Sequence, residues 1–172
     1  MILFNQRGYE AVGVSELCNE IGITPTSLYA AFGNKYGLFE RVIEAYVAGP
    51  ANFVGTALAS AKTVDKAIEA VLKAAAIAYT EDEKRPGCLV LDCELKVEQT
   101  AALELIAAKA KATQAVISAR LQKLGAADPQ AMALFVMTIM RGLSAASRTG
   151  SGRADLFKVI ELAMQGVGSG VE

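Results

Sequence analysis

Apolar residues recur along this chain at intervals of three and four, and no stretch shows the alternating, β-branched pattern of a strand. Residues 1–7 have the pattern of the last turns of a helix ending at Gly8. Val14, Leu17 and Ile21 fall on one face of a second helix, which Gly22 stops; Gly13 stands where a hydroxyl cap is expected. Thr24 caps a third helix, and Pro25 takes its first position, where a missing N–H is harmless. Leu28 and Phe32, four residues apart, form the apolar seam of that helix. Asn34 caps a fourth, residues 35–48, with Leu38, Val42 and Ala45 on one face, and Gly49-Pro50 ends it.

Longer helices follow. A short one covers residues 52–61, and another covers 64–79, capped by Thr63, with Val64, Ile68, Val71, Leu72 and Ala75 inward. The polar loop "EDEKRPG" (81–87) leads to helices over 88–97 and 100–124. "ADPQ" opens a very apolar helix over 129–147, and "RTGSGR" (148–153) separates it from a last helix ending near Gly166. In that last helix Leu156, Val159, Ile160, Ala163 and Met164 point inward. The expected architecture is all-α: a small head, residues 1–48, and a larger helical body, residues 51–168.

Composition narrows the chemistry. The 172 residues are 53% hydrophobic and rich in alanine, which suits helices, and the formal net charge of -1 advertises no particular partner. Cys18, Cys88 and Cys93 are too few and too oddly placed for a disulfide framework. On one helix Cys88 and Cys93 would lie about 140° apart around the axis, with Cα atoms beyond the ~7 Å limit for a bridge. A reduced, cytoplasmic setting is expected, with no membrane span and no signal peptide. The chain contains no histidine, so Ser-His and Cys-His nucleophiles are excluded, and it has no Gly-rich phosphate loop. Cys88, Asp92 and Cys93 do not converge on one helix face, so neither a metal nor another cofactor is expected. The pairs Asp92/Glu94 and Glu98/Glu104 read as solvated charge, and no enzyme is expected.

Two short helices joined at a Gly turn, the second opening with small polar residues, have the layout of a helix-turn-helix. A helix entering the major groove needs short side chains outward, donors at its start and an apolar back. Thr24 and the free N–H groups of the helix start suit a phosphate, and Thr26 and Ser27 suit base edges. Ala30 or the Thr26 methyl suits a thymine methyl, Tyr29 a backbone oxygen and Lys35 a phosphate. A merely well-capped surface helix would show the same hydroxyls.

The longer stretch "RGYEAVGVSELCNEIGITPTSLYAAFGNKYGLFERVIEAY" closely resembles the DNA-binding segment of the TetR/AcrR family of transcriptional regulators. The Gly-Tyr-Glu-Ala entry, the Ile-Gly-Ile-Thr turn, Leu-Tyr and the Phe-Gly-Asn-Lys before Leu-Phe match in order. The resemblance implies DNA-facing positions at Thr24, Pro25, Thr26, Ser27, Tyr29, Ala30 and Lys35, with Leu17, Ile21, Leu28 and Phe32 holding the helices together. It also implies a homodimer on a palindromic operator, acting by repression and released by a small-molecule effector. Gly13, Cys18 and Tyr36-Gly37 depart from the family pattern, and Gly37 is expected to cost about 1 kcal/mol relative to Ala. "MILFNQRGY" supplies only the end of the family's first helix. Residues 1–49 hold three basic side chains against five acidic ones, net -2, where phosphate binding favours a positive head. A start upstream of Met1 is therefore expected. The competing reading is an oligomeric ligand- or redox-sensing module with weak or no DNA binding.

Segment 129–147 is apolar nearly all round, more than one small domain readily buries, which points to a four-helix dimer interface shared with the last helix. "MRGLSAASRTG" resembles the end of the family's penultimate helix, and "RPGCLVLDCEL" resembles a Pro-Gly-Cys-Leu segment in one group of its ligand domains. The resemblance implies an apolar effector pocket, with candidate lining from Val71, Ala75, Cys88, Leu91, Phe135 and Ile139, all of which also read as plain core. Cys88 starts a helix after Lys84 and Arg85, features that favour a thiolate and a sensor role; a buried, inert thiol is the competing reading.

Overall fold

Local capping chemistry sets the first four helices of the computed structural model, which describes residues 1–93 and 100–168. Helix α1 (Ile2–Arg7) ends at Gly8, and α2 (Val14–Ile21) begins at Gly13 without a side-chain cap. Gly22 takes the left-handed conformation, φ 76°, and its N–H and that of Ile23 both donate to the Cys18 carbonyl. This double bond closes the turn into α3 (Pro25–Phe32). Asn34 caps α4 (Lys35–Ala48) by accepting from the Gly37 N–H at 2.9 Å.

The head core is aromatic. Phe39 packs against Phe4 at 5.1 Å and Tyr9 at 4.8 Å between ring centroids, and Val12, Leu17, Cys18, Leu28 and Ile43 close around them. These bulky rings turn α4 from its expected face: Leu38, Phe39, Ile43 and Tyr46 are buried, Val42 is partly so, and Ala45 is exposed. Ile21, expected to hold the helices together, is 48% exposed. It ends a two-turn helix and borders an open hollow with Ile2, Leu38 and Val42, while Cys18 takes the interior place beside Leu17. Gly37 is required by the corner rather than a weakness in it. A β-carbon there would collide with the Phe32 carbonyl oxygen.

The body is built from α5 (Val54–Ala59), α6 (Val64–Thr80), α7 (Leu89–Cys93), α8 (Thr100–Lys123), α9 (Pro129–Arg148) and α10 (Arg153–Gly168). Among the described residues there is no strand. Helix α6 packs on α5, α9 and α10, and α8 lies against α9. Arg120 of α8 donates to the carbonyls of Leu58 and Ala61, at 3.2 and 2.6 Å, and so ties down the end of α5. Thr63 precedes α6 in extended conformation without a side-chain cap bond, while Asp128 caps α9 by accepting from Ala131 N–H at 2.9 Å. Helix α7 is described only to Cys93, so the expected continuation to residue 97 lies outside the described residues. In α10 Leu156 and Ile160 are buried against the body, and Ala163 and Met164 are partly so. Val159, expected inward, is half exposed, because packing on α6 through Leu156 and Ile160 turns it roughly 60° out from Leu156. Head meets body where α1 touches α7 and where α4 touches α7 and α8.

Candidate nucleic-acid interface and effector cavity

Helix α3 buries only Leu28, with Phe32 partly covered. Thr24, Pro25, Thr26, Ser27, Tyr29 and Ala30 are all exposed, on the face opposite the head core. Thr24 Oγ1 accepts from the Ser27 N–H at 3.1 Å and lies 3.0 Å from Ser27 Oγ, so these two hydroxyls are joined in the cap. The Thr26 hydroxyl has no such partner among the described residues and is the freest short polar group of the set. Lys35 is partly buried, its ammonium 4.3 Å from the centre of the Tyr9 ring, and burial lowers its pKa. Its charge thus sits on the head, one turn beyond α3, rather than free in solvent.

A cavity of about 50 Å³ opens among α4, α6, α7, α8 and α9. Of the candidate pocket residues, Cys88 and Leu91 line it. Val71 and Ala75 are instead fully buried in the core face of α6, before Tyr79 reaches the cavity. Phe135 and Ile139 lie on the next face of α9, because Met137 and Met140 are the residues that face the cavity. Tyr79, Lys109 and Thr113 supply its polar lining, and no pattern in the sequence marks them: Lys109 and Thr113 stand in the monotonous "AAKAKAT" of α8.

The Cys88 thiol is buried beside the phenols of Tyr46 and Tyr79, and burial raises the pKa of all three groups. The cations expected to favour a thiolate do not reach it: Arg85 is paired with Asp82 at 2.6 Å and Lys84 is exposed. Cys88 is a protonated core thiol, and all three cysteines are buried and free. Among the described residues no group of Cys, Asp and Glu converges as a metal site would.

Beside the cavity, a polar cluster joins head to body. The Cys88 N–H donates to Ser144 Oγ at 2.7 Å, and Ser144 Oγ donates to Asp92 Oδ1 at 2.7 Å. Arg148 Nη1 lies 3.4 Å from Asp92 Oδ2 and donates to the Asn5 carbonyl at 2.8 Å, while Nη2 reaches the Gln6 carbonyl at 3.2 Å. Gly87, φ +80°, makes room: a β-carbon there would meet Asp92, Ser144 and Arg148 at 2.6–2.9 Å. Asp92, read from sequence as solvated, is therefore a largely buried ion-pair partner. Its position inside the apolar run "CLVLDC" was the available signal.

Comparison with known proteins fits this architecture. The family described as bacterial regulatory proteins, tetR family, matches residues 1–42. The HTH-type transcriptional repressor BdcR of Escherichia coli is 35% identical over 149 residues, covering 87% of this chain and 75% of BdcR. The E. coli repressor ComR is 32% identical over 93 residues, 54% of this chain and 44% of ComR. Among solved structures, a cysteine-substituted TetR-family regulator, CifR, in complex with 26-base-pair operator DNA superposes with a TM-score of 0.88 at 27% identity, covering 95% of this chain and 90% of that one. A TetR-family regulator from Streptomyces coelicolor shares the fold, with a TM-score of 0.81 at 19% identity over 96% of this chain and 88% of its own. With a capped helix-turn-helix in the head, a cavity-bearing helical body and a repressor relative matched along most of its length, this chain belongs to the TetR family of bacterial transcriptional regulators.

Proposed function

We propose that the chain is a homodimeric repressor that reads a palindromic operator through α3 and leaves it when a small effector occupies the cavity. The observation that carries the reading is α3 itself: a capped helix held by Leu28, with Thr24, Pro25, Thr26, Ser27, Tyr29 and Ala30 all exposed. The repressor names of BdcR and ComR and the operator complex of CifR support it. In this reading Thr24 and the first N–H groups of α3 hold a phosphate, and Lys35 adds charge beside it. Thr26 and Ser27 meet base edges, Ala30 touches a thymine methyl and Tyr29 bonds the backbone. Residues 1–48 are the DNA-binding unit, and 51–168 carry the cavity and the dimer face.

Dimerisation uses the exposed apolar residues of the last two helices, Leu134 of α9 with Val159 and Leu162 of α10. The signal from cavity to head runs through Cys88 and Leu91 to Asp92, then through Arg148 to the carbonyls of Asn5 and Gln6. A ligand displacing α7 would move the end of α1, and with it α3. The second reading, a sensing module that binds DNA weakly, draws on the head's net charge of -2 over residues 1–49.

Selection of duplexes from random DNA by the purified protein, followed by gel shift, tests the proposal. Enrichment of one palindrome, bound with much greater affinity than random sequence, is the expected result. Failure to enrich any sequence would favour the second reading.

A further inference from the structure

We propose that the ligand of the cavity among α4–α9 is a small monocarboxylate, an anionic head on a short apolar tail, bound by Lys109 and Tyr79. The assignment rests on the reading of this cavity as the effector site and names the chemistry it selects. Most of the wall is apolar, from Phe53, Val54, Leu91, Met137 and Met140. Of its polar lining side chains, Tyr79 and Lys109 have donors to offer. The Tyr79 oxygen is buried, with the residue 1% exposed, and has only the weakly accepting Cys88 sulfur beside it, without an oxygen or nitrogen partner. An orphan of this kind is costly to bury and is relieved by a ligand that accepts from it. Burial keeps its proton on, so it serves as a donor.

Lys109 lines the same space, and among the described residues its ammonium has no ion-pair or hydrogen-bond partner. The Thr113 hydroxyl proton is already given to the Lys109 carbonyl at 3.1 Å. No described lining residue carries a carboxylate. Tyr79 and Lys109 thus border the cavity as two donors, one of them charged, with no carboxylate among the described lining residues and the nearby Asp92 already engaged by Ser144 and Arg148. A carboxylate accepts from both at once, and charge-assisted bonds of this kind are roughly twice as strong as neutral ones. A cationic ligand would meet Lys109 with like charge, and a second carboxylate would be buried against apolar wall without a partner.

Size limits the tail. One water needs ~10–15 Å³ of such volume, and the cavity has about 50 Å³, room for a few non-hydrogen atoms. Met137 and Met140 are flexible enough to yield to a slightly longer chain.

Titration calorimetry and thermal shift on the purified full chain test this with acetate, butyrate, hexanoate and benzoate against 1-butanol and butylamine. The expected result is that at least one acid binds and that butyrate binds about tenfold or more tighter than 1-butanol. Lys109→Met should abolish that preference, Lys109→Arg should keep most of it, and Tyr79→Phe should weaken the acid severalfold and the alcohol less, because a charged acceptor gains more from the phenol than a neutral one. Circular dichroism melts of each variant separate lost binding from lost folding. The proposal is overturned if alcohol and acid bind equally, if folded Lys109→Met keeps the preference, or if no acid binds at about 10 mM. Adding the bound acid to the protein–operator complex separates the two readings. Release of DNA supports both, whereas an acid that binds through Lys109 yet leaves the complex intact keeps the ligand assignment and removes the effector role.

Discussion

At Gly37 two opposite effects meet. Helix propensity alone says that Ala would gain about 1 kcal/mol there. The tight corner between α3 and α4 says that the added methyl strikes the Phe32 carbonyl oxygen, and forcing extra volume into such a contact costs about 1–3 kcal/mol. Gly37→Ala should therefore lower the denaturation midpoint; a raised midpoint would mean that the corner relaxes freely. In the proposed operator complex, Thr26 reads a base edge and Lys35 positions on a phosphate. Thr26→Ala should cost about 1–3 kcal/mol on the selected operator and little on random DNA. Lys35→Ala should weaken both alike and make the slope of log affinity against log salt shallower by about 1 per subunit. It also removes the contact with Tyr9, a stability loss of about 0.5–1 kcal/mol that a melt will report separately. For the cysteines, burial outweighs the helix start. With its pKa raised, Cys88 carries less thiolate than a free thiol at pH 8, so a disulfide reagent should react with almost none of the three thiols in native buffer and all three in denaturant.

At the scale of elements, the end of α9 does more than close a helix. One guanidinium, that of Arg148, bridges Asp92 of α7 and the last turn of α1. Arg148→Met would take the guanidinium from a nearly buried Asp92 carboxylate that keeps the Ser144 hydroxyl, and would withdraw the donor from the carbonyls of Asn5, Gln6 and Pro86. The expected cost is about 2–4 kcal/mol, moderated by the 18% and 12% exposure the two side chains retain. Adding Asp92→Asn should recover part of that loss in a double-mutant cycle. If the cluster also carries the signal from the cavity, the single variant should bind operator but respond less to effector in the same gel shift. Full response with unchanged stability would remove Arg148 from both roles.

For the whole molecule, the question is what covers the outer face of α9 and α10. Leu162 is 66% exposed and Leu134 53%, both large and apolar on adjoining helices. Sedimentation at micromolar concentration should give a mass near twice 18.0 kDa. Leu162→Asp should yield a folded monomer, because its side chain touches little within one chain, whereas Ile139 is partly packed against the core and its replacement would mix folding with assembly. A Leu162→Asp protein that stays dimeric would place the interface elsewhere.

The amino-acid sequence by itself determined what is local. Thr24, Pro25, Asn34 and Gly22 act on backbone groups within four residues of themselves, so helix starts and stops in the head were legible, and apolar spacing sufficed for the body's helices. The helix-turn-helix was readable for the same reason: its layout is one short capped helix showing small polar residues outward. Tertiary structure decided everything that needs a partner distant in sequence. It turned α4 onto Phe39 and Ile43 because Phe4 and Tyr9 demand them, and it made Gly37 obligatory through a contact with Phe32. It chose Tyr79 and Lys109 over Val71, Ala75, Phe135 and Ile139 as cavity lining, because periodicity finds the apolar face of a helix but not where facing helices fail to meet. Asp92 and Arg148, more than fifty residues apart, became one buried pair only once α1, α7 and α9 were packed.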